Sequence, residues 1–159
     1  MKLKTLIQAI LAFLAFIFLF LPWYMANALG FISIGVNAFE GHTVLAILTL
    51  VVVLGALAWF ILDILNQLGI LKFKIAKKTK NIIDIAAGGA LVVFGVIALI
   101  FGFADGSEYL KSHPGAGAWL FLVASAVILA LNFVKLEMTV GGKPVKATSE
   151  KKDAKKDEK

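Results

Sequence analysis

The chain has 159 residues, of which 60% are hydrophobic and 16% charged, and its formal net charge is +6 with every basic residue a lysine. Mean hydropathy is +0.93, well above the balance of an ordinary soluble domain. It contains no cysteine, which excludes dithiol chemistry, thiolate metal sites and disulfide-stapled loops.

Four apolar segments, at about 5–24, 43–65, 82–103 and 117–136, each hold 20 or more residues. At about 1.5 Å of rise per residue, that length crosses a hydrocarbon layer of roughly 30 Å. The runs are uninterrupted and show no alternation, and a bilayer offers backbone groups no water, so they are expected to be helices. The expected fold is an all-α membrane protein, a four-transmembrane-helix bundle over residues 1–140, followed by a disordered, Lys-rich tail over 141–159.

The first segment follows Met1-Lys2-Leu3-Lys4 and closes on Pro22-Trp23-Tyr24, which reads as a helix end with an interfacial aromatic belt. Ala26-Asn27-Ala28 also resembles a signal-peptide cleavage site, which leaves open that the segment is removed. Its apolar run exceeds the roughly 7–15 residues of a signal core, which favours a retained helix. The inward stripe of this helix is Thr5, Gln8, Ala12 and Ala15. The loop beyond it, from Gly30 to Phe39, is apolar with glycines at its turns, the pattern of a short hairpin on the membrane surface.

In the second segment Thr49, Ala56, Trp59 and Asp63 share a stripe. The connection after it, Leu71-Lys72-Phe73-Lys74-Ile75-Ala76-Lys77-Lys78, mixes apolar anchors with lysine and contains no acid through Lys80. Lys72, Lys74, Lys77, Lys78 and Lys80 are the expected contacts with anionic lipid headgroups, at about 1 kcal/mol per lysine near the surface.

The third segment repeats glycine every seven residues at Gly88, Gly95 and Gly102, and Asp84, Leu91 and Ala98 fall on the same face. Such a face lets a neighbouring helix approach closely, either within the bundle or from a partner. In the fourth segment Ala118, Ser125 and Asn132 form the stripe, where polar groups serve interhelical hydrogen bonds. The helix-packing set is therefore Gly88, Gly95, Gly102, Ala98, Ser125 and Asn132. Asp63 and Asp84 are the intramembrane acids; both lie near the lysine-bearing ends of their helices, within expected reach of water or of the connecting lysines.

Lysine is distributed unevenly. Lys2 and Lys4, the 72–80 cluster and eight lysines from Lys135 onward fall on one side of a four-span layout, and Lys111 alone falls on the other. The positive-inside rule then places both termini in the cytoplasm, with the 25–42 and 104–116 loops outside. The tail from Gly141 has seven lysines against four acids and no periodic stripe, so it is expected to be disordered and not to bind nucleic acid.

No catalytic constellation is present. Glu40, His42, Asp105, Glu108 and His113 are the ligand-type residues of the outer loops, but no metal-site spacing joins them, so neither metal nor cofactor is expected. Gly88-Gly89 and Gly141-Gly142 lack a phosphate-loop context. A first helix ending in Leu21-Pro22-Trp23, then a Gly-rich loop and Glu40-Gly41-His42 before the next span, resembles the small tetraspan proteins of bacterial membranes. That resemblance implies architecture only; the short, lysine-rich, cysteine-free chain is expected in a bacterial plasma membrane. The layout also resembles the claudin-like tetraspans, whose Gly-Leu-Trp and two-cysteine signature this chain lacks. The expected function is a non-enzymatic accessory or scaffold subunit, with membrane lipids and another membrane protein or itself as partners. A small oligomeric transporter or channel and a toxin-immunity protein are the alternatives.

Overall fold

The computed structural model describes residues 2–28, 32–104 and 110–134. In chain order the elements are α1 (Leu3–Phe18), β1 (Pro22–Ala28), β2 (Ile32–Asn37), α2 (Ala38–Gly41), α3 (Thr43–Gln67), α4 (Lys77–Ala104), β3 (Leu110–Pro114) and α5 (Ala116–Ala130). The molecule is mostly helical. α1 packs against α3 and α5, and α4 against α5 and, less extensively, α3, so the order round the bundle is α3, α1, α5, α4. Its core is made of small and aromatic side chains: Ala12, Ala15, Ala98 and Ala118 are fully buried together with Phe60, Leu91 and Phe121.

Two helices, Thr43–Gln67 and Lys77–Phe103, are long and apolar enough to cross a membrane. α1 and α5 are shorter, at 16 and 15 residues, or about 24 and 22 Å of regular helix. α1 stops where the chain approaches Pro22, which has no N–H to donate and biases the residue before it away from helix. Three tightened turns carry the chain from Phe18 to Leu21, with Leu19, Phe20 and Leu21 each donating to the carbonyl three residues back. After α5, similar bonds from Asn132 and Phe133 prolong the turn. α3 ends in a Schellman motif: Gly69, at φ 78°, donates to the Asn66 carbonyl, and Ile70 donates to Leu65. Only glycine adopts that backbone without cost.

The expectation of an all-α bundle of four spans is not met: among the described residues two helices, not four, reach spanning length, and the chain also forms a three-stranded antiparallel sheet in the order β2-β1-β3. The hairpin expected within 30–39 is replaced by a longer one: 32–37 is a single strand, β2, paired with β1, with Ala26 opposite Ile34 and Asn27 opposite Ser33. β3 joins the other edge of β1, with Met25 opposite His113. The hairpin lies partly in the stretch read as the end of the first span, and Trp23 is no interfacial anchor. It is fully buried, stacks on Phe121 with ring centroids 5.2 Å apart, and donates its indole N–H to the Phe18 carbonyl at 2.7 Å. The Phe18 carbonyl thus accepts twice at the end of α1, from this indole and from the Leu21 N–H. Asn37 and Glu40 form a capping box that starts α2 and turns the chain into α3. The tail at 141–159, Asp105, Glu108 and the end of the fourth segment beyond Val134 lie outside the described residues.

Candidate functional site

All the described polar side chains that the helices bury deeply, apart from Thr49 and Ser125, converge at one end of the bundle, opposite the sheet. Thr49 and Ser125 donate to carbonyls four residues back in their own helices, at 2.7 Å each. This disposes of the hydroxyl locally and leaves nothing for a ligand.

At the lysine end α1, α3, α4 and the C-terminal end of α5 with its following turn all contribute to one network. Asp63 of α3 and Asp84 of α4 are 6% and 4% exposed. The Lys80 ammonium sits between them, 3.0 Å from Asp63 Oδ2 and 2.9 Å from Asp84 Oδ2. Asp63 Oδ2 also accepts from the Thr5 hydroxyl of α1 at 3.0 Å and from Gln67 Nε2 at 2.7 Å. Gln67 Nε2 reaches Thr5 Oγ1 as well, and its Oε1 accepts the Lys2 backbone N–H at 2.7 Å. The other carboxylate oxygen of Asp84 accepts the Trp59 indole N–H at 2.7 Å.

A second branch closes the bundle on the α5 side. Asn132 Nδ2 donates to the Asp84 backbone carbonyl at 2.8 Å, and Gln8 Nε2 of α1 donates to Asn132 Oδ1 at 2.9 Å and to the Ile128 carbonyl at 3.3 Å. Among the described residues no buried side-chain nitrogen or oxygen lacks a partner. Two carboxylates and one ammonium carry a formal charge of −1, met by indole, hydroxyl and amide donors and by the field of the nearby Lys4 ammonium. A buried pair of this kind depends on hydrogen bonds beyond its own attraction, and Thr5, Gln67 and Trp59 supply them.

Of the two expected outlets for Asp63 and Asp84, water or a connecting lysine, the geometry gives the lysine: both are buried and paired with Lys80. Lys80 belongs to the network, whereas Lys72, Lys74, Lys77 and Lys78 are exposed. Between them Phe73 and Ile75 are half-buried, so the connection alternates anchors and lysines. Gln67 and Lys80 were not singled out with the acids. Their signal was the i, i+4 spacing of Asp63 with Gln67 and of Lys80 with Asp84, which places each pair on one helix face.

The glycine face of α4 is occupied internally. A Cβ at Gly88 would lie 3.0 Å from Leu129 Cα, one at Gly95 3.0 Å from Leu122 Cδ1, and one at Gly102 2.9 Å from Pro114 Cγ. Gly88 and Gly95 thus let α4 approach the backbone of α5, and Gly102 admits the end of β3. Ala98 is fully buried beside them. At the sheet end His42 stacks against Tyr24 and Phe101, with ring centroids 5.1 and 4.8 Å away. Glu40 caps α2, and His113 lies in β3. Among the described residues no three His, Asp or Glu side chains come together in a metal-binding group. No family model, curated protein or solved structure matches the chain.

Proposed function

We propose that the chain is a four-pass membrane protein without enzymatic activity, an accessory or scaffold subunit that holds another membrane protein through contacts between helix faces. The observation that carries this reading is the outward face of α3. Val44, Leu48, Val51, Gly55, Ala58 and Leu62 recur every three or four residues along the helix, and all are exposed. A Cβ at Gly55 would meet nothing within 4 Å. An apolar stripe with small residues at its centre lets a second helix approach, and in lipid such packing is a principal source of association. The polar groups of the interior support the same reading, because Asp63, Asp84 and Lys80 are engaged with one another and with neighbouring donors. In this reading α1 and α5, prolonged by their terminal turns, also cross the membrane, with the lysine end in the cytoplasm and the exposed lysines at the headgroups.

Affinity recovery of the tagged chain from its native membrane in mild detergent tests the proposal. A stoichiometric second membrane protein is expected, and Gly55→Leu should lose it while leaving the chain folded, since no internal contact is touched. Recovery of the chain alone, undiminished in stability, would remove the accessory reading. A transport reading would instead require that Asp63→Asn or Asp84→Asn abolish an ion flux in reconstituted vesicles.

A further inference from the structure

The two edges of the sheet are in different situations. β3 lies against α4, and the Ser112 hydroxyl donates to the Gly102 carbonyl at 3.0 Å, so that edge is covered. β2 is the other edge, and its principal neighbours among the described residues are β1 and its own continuation α2. An open edge strand is normally protected by charge, proline or a bulge. Ile32-Ser33-Ile34-Gly35-Val36-Asn37 has no charged residue and no proline. The one register shift in its pairing with β1 lies at its far end, between Pro22 and Tyr24. Ser33, Ile34 and Gly35 are exposed, Ile34 by 56%.

The pattern of the strand is also symmetric about Ile34. Laid antiparallel against a copy of itself, it sets Ile34 opposite Ile34, Ile32 opposite Val36 and Ser33 opposite Gly35. Ile34 then meets its own copy on one side of the sheet, and Ser33 and Gly35 meet on the other, which is how cross-strand pairs stabilise a sheet. Odd positions pair with odd and even with even, so the register serves whichever residues turn their N–H and C=O groups outward.

We propose that β2 is a self-association edge, through which two copies of this chain in one membrane join their sheets by antiparallel β2–β2 pairing about a two-fold axis. The occupant is a second copy for two reasons on the strand itself: its side-chain pattern is self-complementary, and it carries no charge that a different partner would have to match. Two copies anchored in the same membrane hold their sheets at the same height, which removes much of the orientational freedom that association otherwise costs. Closed two-fold symmetry also uses up the edge in both copies, so pairing stops at the dimer. The inference rests on the sheet and is independent of the helix-face reading of α3.

The absence of native cysteine allows a clean test in the full chain. Directly opposed residues of an antiparallel pair have Cα atoms about 4.5–5.5 Å apart, within the roughly 4.4–6.8 Å that a disulfide bridges. In native membranes treated with copper–phenanthroline, Ile34→Cys is expected to give a covalent dimer at least tenfold more abundant than Ser33→Cys, whose symmetry mate is offset along the strand. It should likewise exceed Val44→Cys, at a still more exposed position of α3. Equal yields at the three positions, no dimer, or cross-linking of Ile34→Cys to a different protein would each overturn the proposal. In the cysteine-free, fluorescently tagged chain reconstituted in native lipid, two-step photobleaching is expected to become one-step on Ile34→Lys. Two steps persisting in that variant would overturn it as well.

Discussion

The glycines of α4 divide by what stands next to them. Gly88 faces the Leu129 backbone at 3.0 Å, whereas nothing lies within 4 Å of the position a Cβ would take at Gly89. Backbone cannot rotate away as a side chain can, so Gly88→Val should force α4 off α5 and cost about 1–3 kcal/mol of stability. Gly89→Ala should be neutral, or stabilising by up to about 1 kcal/mol, because it replaces the poorest ordinary helix former with the best. Thermal unfolding of the two variants in one detergent checks this; equal melting temperatures would mean that the Gly88 face is not a close helix contact. The seven-residue repeat marked Gly88, Gly95 and Gly102 as a close-approach face, but periodicity alone does not name the neighbour. At Gly102 the neighbour is Pro114 of β3 and no helix at all.

Between elements, the network around Lys80 joins α1, α3, α4 and the turn after α5. Removing the ammonium leaves two carboxylates buried together, and breaking such a pair from one side costs about 3–5 kcal/mol. Lys80→Met should therefore destabilise the chain by that order. Adding Asp63→Asn and Asp84→Asn to Lys80→Met removes the uncompensated charge and should restore most of the loss. Unfolding in a graded denaturing detergent distinguishes the cases. If the single and triple variants unfold alike, the ammonium contributes through packing of its stem and not through charge. The stripes that place Thr5, Gln8, Asp63, Asp84 and Asn132 at one level follow from helical geometry. The partners do not, since Trp59 reaches Asp84 across 25 positions of sequence and Gln8 reaches Asn132 across 124.

For the whole molecule, the sheet and the exposed lysines lie at opposite ends, and the four-pass reading makes a topological prediction. Single cysteines introduced by Lys2→Cys and Lys72→Cys should react with a membrane-impermeant maleimide only in inverted vesicles, and Ser33→Cys only in intact cells. Labelling of Lys2→Cys and Ser33→Cys from the same side would mean that α1 does not cross. α3 and α4 are long enough for the claim by themselves; α1 and α5 depend on how their terminal turns meet the lipid.

The sequence by itself determined that the chain is mostly helical and which stripes of its helices turn inward, because apolar run length and the 3.6-residue period are local quantities. Extended structure after Gly30 was legible for the same reason, but its partner was not: β2 pairs with β1, whose Pro22-Trp23-Tyr24 reads in sequence as a helix end. Only the tertiary structure decided that those residues begin a strand, that Trp23 is buried against Phe121, and that Leu110–Pro114 becomes β3. A Leu-Lys-Ser-His-Pro segment has no strand pattern of its own; it is held extended by pairing with β1 and by its seat on α4, and such pairing depends on which distant segments meet. Lys80 teaches the same lesson about the site. A lysine in a basic connection reads as a headgroup contact until the fold brings two carboxylates from different helices to either side of it, where Coulomb attraction at low water content outweighs the pull of the surface.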